Sequence, residues 1–182
     1  TMSGSEAPVY VRLPLGPYLS DPVSYVLYSQ GNVAAALNNT TLTTLTLVRT
    51  IIGASGASAL TALATALLAN TPPLRSLTLV HTQLGASGAT ALATALHTNI
   101  TLMFLHLARG NEIGDPGTMA LATALHANTT LMLLNLESNN IGAPGATALA
   151  TALHTNTSLT LLSLKGSRIG DVGATALASA LQ

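Results

Sequence analysis

A six-residue frame, L-x-x-L-x-L, recurs five times along this chain of 182 residues, and each copy is followed by G-x-x-G. The frames begin at Leu42, Leu74, Leu102, Leu131 and Leu159, at spacings of 32, 28, 29 and 28 residues. The glycine pairs are Gly53/Gly56, Gly85/Gly88, Gly114/Gly117, Gly142/Gly145 and Gly170/Gly173, so ten of the 15 glycines occupy one repeated place. A period of this length marks a stack of equivalent units, each of which buries its apolar face only against a neighbour.

After the second glycine the periodicity changes. Ala89, Leu92, Ala93 and Leu96 stand at i, i+3, i+4 and i+7, one face of a helix. The comb recurs as Thr118/Leu121/Ala122/Leu125, Ala146/Leu149/Ala150/Leu153 and Ala174/Leu177/Ala178/Leu181. Each unit therefore reads as a short strand, a turn and a helix of roughly three turns. Asp115 is expected to cap the fourth unit's helix, with Pro116 at its first helical position. Asn99, Asn128 and Asn156 follow the last leucine of their combs, where a left-handed C-terminal cap is expected.

The pattern L-x-x-L-x-L-x-x-N-x-I-G-x-x-G-A-x-A-L-A-x-A-L, carried by residues 42–182 and clearest from Asn139-Asn140-Ile141-Gly142 to Leu153, resembles the leucine-rich repeat of the ribonuclease-inhibitor-like subfamily. NOD-like receptors and Ran GTPase-activating protein share that repeat. The resemblance implies an α/β solenoid, a curved horseshoe segment with parallel strands on the concave face and helices on the convex face. Packing distances imply the same curvature, since strands stack at about 4.8 Å and helices at about 8–10 Å. In this family an Asn bonds the neighbouring backbone; it is present here as Asn139 and, one place late, as Asn111. Thr50, Thr82 and Ser167 stand at that place elsewhere and can still bond backbone at shorter reach. The first unit has four extra residues around Thr61 to Ala64, read as one additional helical turn.

Residues 1–41 lack the pattern. All four tyrosines (Tyr10, Tyr18, Tyr25, Tyr28) and four of the eight prolines (Pro8, Pro14, Pro17, Pro22) lie there, as expected of a segment that caps a solenoid's first layer. Val33 to Leu37 with Asn38-Asn39-Thr40-Thr41 reads as the end of a degenerate repeat. The domain reading is thus a capping segment over 1–41 and five repeats over 42–182. The opening Thr1-Met2-Ser3-Gly4 shows no secretory leader, and a first residue other than Met suggests a piece of a longer chain. Ile51 to Ala69 is uncharged, but it is rich in Ala, Ser, Thr and Gly and in register with the repeats, so it is not read as a membrane span. The absence of a leader points to the cytoplasm.

Composition narrows the function. Six Lys/Arg balance six Asp/Glu, a 7% charged content against about 25% in ordinary proteins. No basic stripe exists for nucleic acid and no polybasic run for an anionic membrane. Without cysteine there is no thiolate metal site, thiol nucleophile or disulfide. No phosphate-binding loop, metalloprotease motif or nucleophile elbow is present, and Glu112 and Asp115 read as a solvated turn with a cap. No enzyme, cofactor or metal is expected. His97, His126 and His154 recur at successive helix ends, too far apart to share one zinc and well placed against helix C-terminal dipoles. N-x-[ST] occurs at Asn38, Asn39, Asn99, Asn128 and Asn156, and is read as repeat-turn sequence in place of glycosylation acceptors.

The inner face of the strands is the informative surface. Frame leucines point to the core and alternate positions point outward. The second position carries Thr43, Arg75, Met103, Met132 and Thr160; the third carries Thr44, Ser76, Phe104, Leu133 and Leu161. The fifth carries Thr46, Thr78, His106, Asn135 and Ser163, with Arg49, His81 and Arg109 just beyond. Met103, Phe104, Met132, Leu133 and Leu161 form a candidate apolar patch with His106, Asn135 and Arg109 at its edge, a composition that suits a protein partner. The expected function is a non-enzymatic protein-interaction module. Alternatives are a GTPase-activating or NOD-like-receptor-type regulatory fragment, and a structural repeat that self-associates through its open C-terminal end.

Overall fold

The computed structural model describes residues 23–28, 33–53 and 56–181. Strands and helices alternate: β1 (Val23–Tyr28), α1 (Val33–Leu37), β2 (Leu42–Val48), α2 (Ala57–Ala69), β3 (Ser76–Val80) and α3 (Gly85–Leu96), then β4 (Phe104–His106), α4 (Gly114–Leu125), β5 (Leu133–Asn135), α5 (Ala143–Leu153), β6 (Leu161–Ser163) and α6 (Gly170–Ala180). The six strands form one parallel sheet in chain order. The chain is thus an α/β solenoid, one strand and one helix per unit. Of the segment 1–41 expected to cap it, residues 1–22 and 29–32 lie outside the described residues; β1 pairs in parallel with β2 ahead of the first full frame.

The leucine frame is the core. Leu45, Leu77, Leu105, Leu134 and Leu162 fall on one register line across five strands. From Leu42 to Leu136 every frame leucine is fully or almost fully buried, against helix residues such as Leu92, Leu121 and Leu149. Each such side chain contributes about 1.5–3 kcal/mol of burial. The last unit differs: Leu159, Leu162, Leu164 and Leu177 are only partly buried, and Leu181 is 79% exposed.

The two glycines of each pair answer different demands. Gly114 opens α4 at φ +61°, a left-handed start that L residues rarely adopt. Gly117 has no room for a side chain, because a Cβ there would lie 2.9 Å from the Ala89 Cβ on α3 and 2.7 Å from Ile113 Cγ2. Small residues let the helices approach closely, yet they cannot reach strand spacing, so the sheet remains the inner side.

Several local expectations are corrected. The four extra residues of the first unit do extend α2 at its C-terminal end, but α2 begins after Gly56 while α3 begins at Gly85, the first glycine of its pair. Helix α2 is therefore 13 residues long against 12 for α3, not a full turn longer. Helix α4 begins at Gly114, so Pro116 is not its first residue, and no side chain caps it. Asp115 instead reaches the next unit: one carboxylate oxygen accepts the Gly142 N–H at 2.7 Å and the Gly145 N–H at 3.0 Å, at the start of α5. It serves as an N-cap across the repeat boundary. Asp115→Ala is expected to cost about 1 kcal/mol, with Asp115→Asn recovering most of it through its amide oxygen; urea midpoints of the three chains check this.

Asn99, Asn128 and Asn156 are not left-handed caps either. The residues that follow α3, α4 and α5 are His97, His126 and His154, in right-handed helical geometry and exposed. The asparagines form a ladder instead. Asn99 Nδ2 donates to the Leu67 carbonyl, Asn128 Nδ2 to Leu96 and Asn99, and Asn156 Nδ2 to Leu125 and Asn128. Each Oδ1 accepts two amides at the entry to its own strand: Thr101 and Leu102, Thr130 and Leu131, Ser158 and Leu159. Nδ2 is the atom a glycan would occupy, and at these three sites it is held by carbonyls of the preceding unit.

A second ladder runs at the other end of the strands. Asn111 Nδ2 donates to the Leu79 and Leu107 carbonyls, and its Oδ1 accepts from the amide and hydroxyl of Thr82. Asn139 Nδ2 donates to Leu107, Leu136 and Glu137. Positive φ at Arg109 recurs at Arg49, His81 and Ser138 in the units without the extra residue, and in this unit Gly110 adds a second positive φ before Asn111. Of the substitutes, the Thr50 hydroxyl donates to the Val48 carbonyl at 3.4 Å, and the buried Ser167 hydroxyl has no hydrogen-bond partner among the described residues.

Candidate partner-binding site

The strands present their non-leucine positions on the inner side of the sheet. Phe104 registers against Leu133, and Leu133 against Leu161, so three apolar side chains stand side by side over about 10 Å. Phe104 is 37% exposed, Leu161 50% and Met132 36%; Met103 and Leu133 are half-buried. Met103 and Met132 are adjacent, since the Met103 carbonyl accepts the amides of both Met132 and Leu133. All five expected apolar residues are thus brought together.

The polar residues separate into rows. His106 registers with Asn135, and Asn135 with Ser163, directly beside the apolar row. Asn135 Oδ1 accepts the Glu137 N–H at 2.9 Å, which fixes its amide. Partial burial pushes the His106 pKa below its ordinary 6.5. A histidine depressed in the fold is neutral there while the unfolded chain still takes up a proton, so its contribution to stability is present above about pH 6.5 and is lost as pH falls through the folded value. The parent chain is therefore expected to lose more stability between pH 7.5 and 5.5 than His106→Gln, as read from urea midpoints.

Arg109 lies elsewhere. It stands three residues beyond the end of β4, at positive φ, and meets Glu137 at 3.5 Å while Lys165 approaches the same carboxylate at 4.0 Å. Both cations are exposed, so the network is worth less than about 1 kcal/mol per pair. Arg109 is therefore engaged with Glu137 beyond the end of β4, past His106.

The cation beside the patch is Arg75. It is exposed and forms no ion pair among the described residues, and its carbonyl accepts the amides of Met103 and Phe104. A cleft of about 350 Å³ opens there, lined by Pro73, Arg75, Ile100, Thr101, Met103 and Thr130. Ile100 is 71% exposed. Sequence reasoning placed Arg75 on this face but not in the site, and passed over Ile100. The available signal was the middle residue of N-x-[ST]: Thr in Asn128-Thr129-Thr130 and Asn156-Thr157-Ser158, but an apolar Ile in Asn99-Ile100-Thr101.

The helix side has a second depression, about 510 Å³, whose lining includes Leu68, Thr90, Thr94, His97 and Thr123. Three of its four threonine hydroxyls are spent on the helices themselves: Thr90, Thr94 and Thr123 each donate to the carbonyl four residues back. His126 Nδ1 lies 2.9 Å from the Thr155 hydroxyl. Among the described residues no three His, Asp or Glu side chains are grouped to hold a metal ion, and no helix is long and apolar enough to cross a membrane.

The family model described as Leucine Rich repeat matches five times, at residues 38–60, 72–93, 98–122, 127–150 and 155–178. The chain belongs to the leucine-rich repeat family. These repeats build a protein-interaction fold, in general without catalysis. Among solved structures, the repeat chain is similar to the one titled "Leiomodin-1 Actin-Binding Site 2 (ABS2)", with a TM-score of 0.58 and 25% identity, over 65% of this chain and 69% of that one. No curated protein sequence matches it.

Proposed function

We propose that this leucine-rich repeat chain is a non-enzymatic module that binds a protein partner through the concave face of its sheet. The observation that carries the reading is the registered, exposed row Phe104, Leu133 and Leu161, flanked by Met103 and Met132 and bordered by His106 and Asn135. Apolar burial on this row supplies affinity, and the polar row beside it supplies orientation. The solved relative's name describes an actin-binding site, which supports a protein as the ligand and makes purified actin the first defined partner to try. Affinity capture with mass spectrometry, run in parallel on the parent and Phe104→Asp, tests the face: partners lost in the variant support it, and an unchanged partner set refutes it.

The finer readings of the chain belong to the same proposal. The helices of 11 to 13 residues on the outer side support the ribonuclease-inhibitor-like subfamily, and with it a regulatory fragment of GTPase-activating or NOD-like-receptor type working in the cytoplasm. The parallel pairing of β1 with β2 supports a degenerate repeat within 1–41. Self-association is a second reading, favoured by the partly buried leucines and exposed Leu181 of the last unit. A molar mass that rises with concentration in light scattering, and that stays monomeric when a polar cap is fused after Gln182, would establish it.

A further inference from the structure

We propose that the cleft at Arg75 is an anchoring pocket for a side-chain carboxylate flanked by apolar residues in a partner's chain. This rests on the concave-face reading above and gives the partner a chemistry. Pro73, Ile100 and Met103 provide apolar walls, and among the described residues Arg75 is the only charged group in the lining. Around it the neighbouring inner-face positions are Thr43, Thr44, Ser76, Met103 and Phe104, so no carboxylate among the described residues neutralises the guanidinium. An arginine in an apolar cleft selects a planar anion with which it can form two parallel hydrogen bonds.

The cleft also favours a side chain over a chain terminus. Terminal carboxylates are captured by free backbone N–H groups, and here those amides are already engaged. Ile100 N–H donates to Asn70 Oδ1, Thr101 and Leu102 to Asn99 Oδ1, and Thr130 and Leu131 to Asn128 Oδ1. The Thr130 hydroxyl is directed to the Leu102 carbonyl at 3.2 Å. What remains for an anion is the guanidinium, with the Thr101 hydroxyl, which accepts from Asn99 Nδ2 and keeps its own proton to donate. Met103 lines the cleft and adjoins Phe104, so a partner segment holding its carboxylate at Arg75 lays its neighbouring apolar residues on the exposed row.

The test is selection of binders from a random-sequence peptide display library on the full chain, with affinities of the selected peptides measured by fluorescence anisotropy. The expected result is enrichment of Asp or Glu beside Leu, Ile or Phe, with affinity lowered at least tenfold by Arg75→Gln and only partly restored by Arg75→Lys. Arg75→Glu should shift the selected sequences toward Lys or Arg. Peptides that lose affinity on Phe104→Asp but bind Arg75→Gln as well as the parent would overturn the pocket and leave the concave face standing. Peptides indifferent to both substitutions, or no enrichment over a Phe104→Asp control, would overturn both. Affinity that disappears on amidating the peptide C-terminus would assign the pocket to a chain terminus and overturn the side-chain reading.

Discussion

Asn128→Ala is expected to destabilise the fold by about 3–5 kcal/mol, an exceptional cost for one side chain. Asn128 is 3% exposed. Its amide nitrogen satisfies two carbonyls of the preceding unit, Leu96 and Asn99, and its oxygen satisfies the Thr130 and Leu131 amides at the entry to β5. Alanine leaves four main-chain groups in the interior without these partners, each costing about 1–3 kcal/mol when wholly unsatisfied; water reaching some of them sets the lower figure. Asn128→Asp should be at least as damaging, since it retains the acceptor but turns a buried negative charge toward two carbonyl oxygens. Urea unfolding followed by circular dichroism measures both. A loss under 1 kcal/mol for alanine would show that the ladder does not hold successive units together.

Phe104→Asp should have the opposite profile: a stability change within about 1 kcal/mol and a loss of partner affinity of about 100-fold or more. The ring is 37% exposed on the inner side of the sheet while its neighbour Leu105 fills the core. A carboxylate at that position keeps its water, so the usual penalty for burying a charge does not arise in the free chain. In the complex it would be desolvated beside Leu133, its registered neighbour, and the row that continues to Leu161. A central aromatic anchor is worth about 2–4 kcal/mol, and each 1.4 kcal/mol is tenfold in affinity. Titration of a captured partner, with urea midpoints as the control for folding, separates the two effects. An unfolded variant would place Phe104 in the core, and a stable variant with parental affinity would move the binding surface off this face.

Periodicity determines what happens inside one unit. The L-x-x-L-x-L frame marks the side of a strand that faces the core, and the Ala/Leu comb the side of a helix that does, so strand, helix and buried leucines were all legible in the sequence. The contiguity of Phe104 with Leu133 and Leu161 followed from the same argument, because equal frames stacked in register bring equal positions together. What happens between units was not legible. Asp115 was placed at the start of its own helix and instead caps the next one, through amides 27 and 30 residues away. Asn99, Asn128 and Asn156 suggested helix ends, yet their amides reach the carbonyls of the preceding unit. Arg109 reads from its position as an edge of the apolar patch, and only the fold shows its guanidinium meeting Glu137 of the next unit. A polar side chain chooses its partner by direction and distance within the stack, and a repeat pattern carries neither. The sequence by itself determined the unit and its stacking; only the tertiary structure decided which donors and acceptors meet across each boundary, and left Arg75 as the cation beside the exposed row.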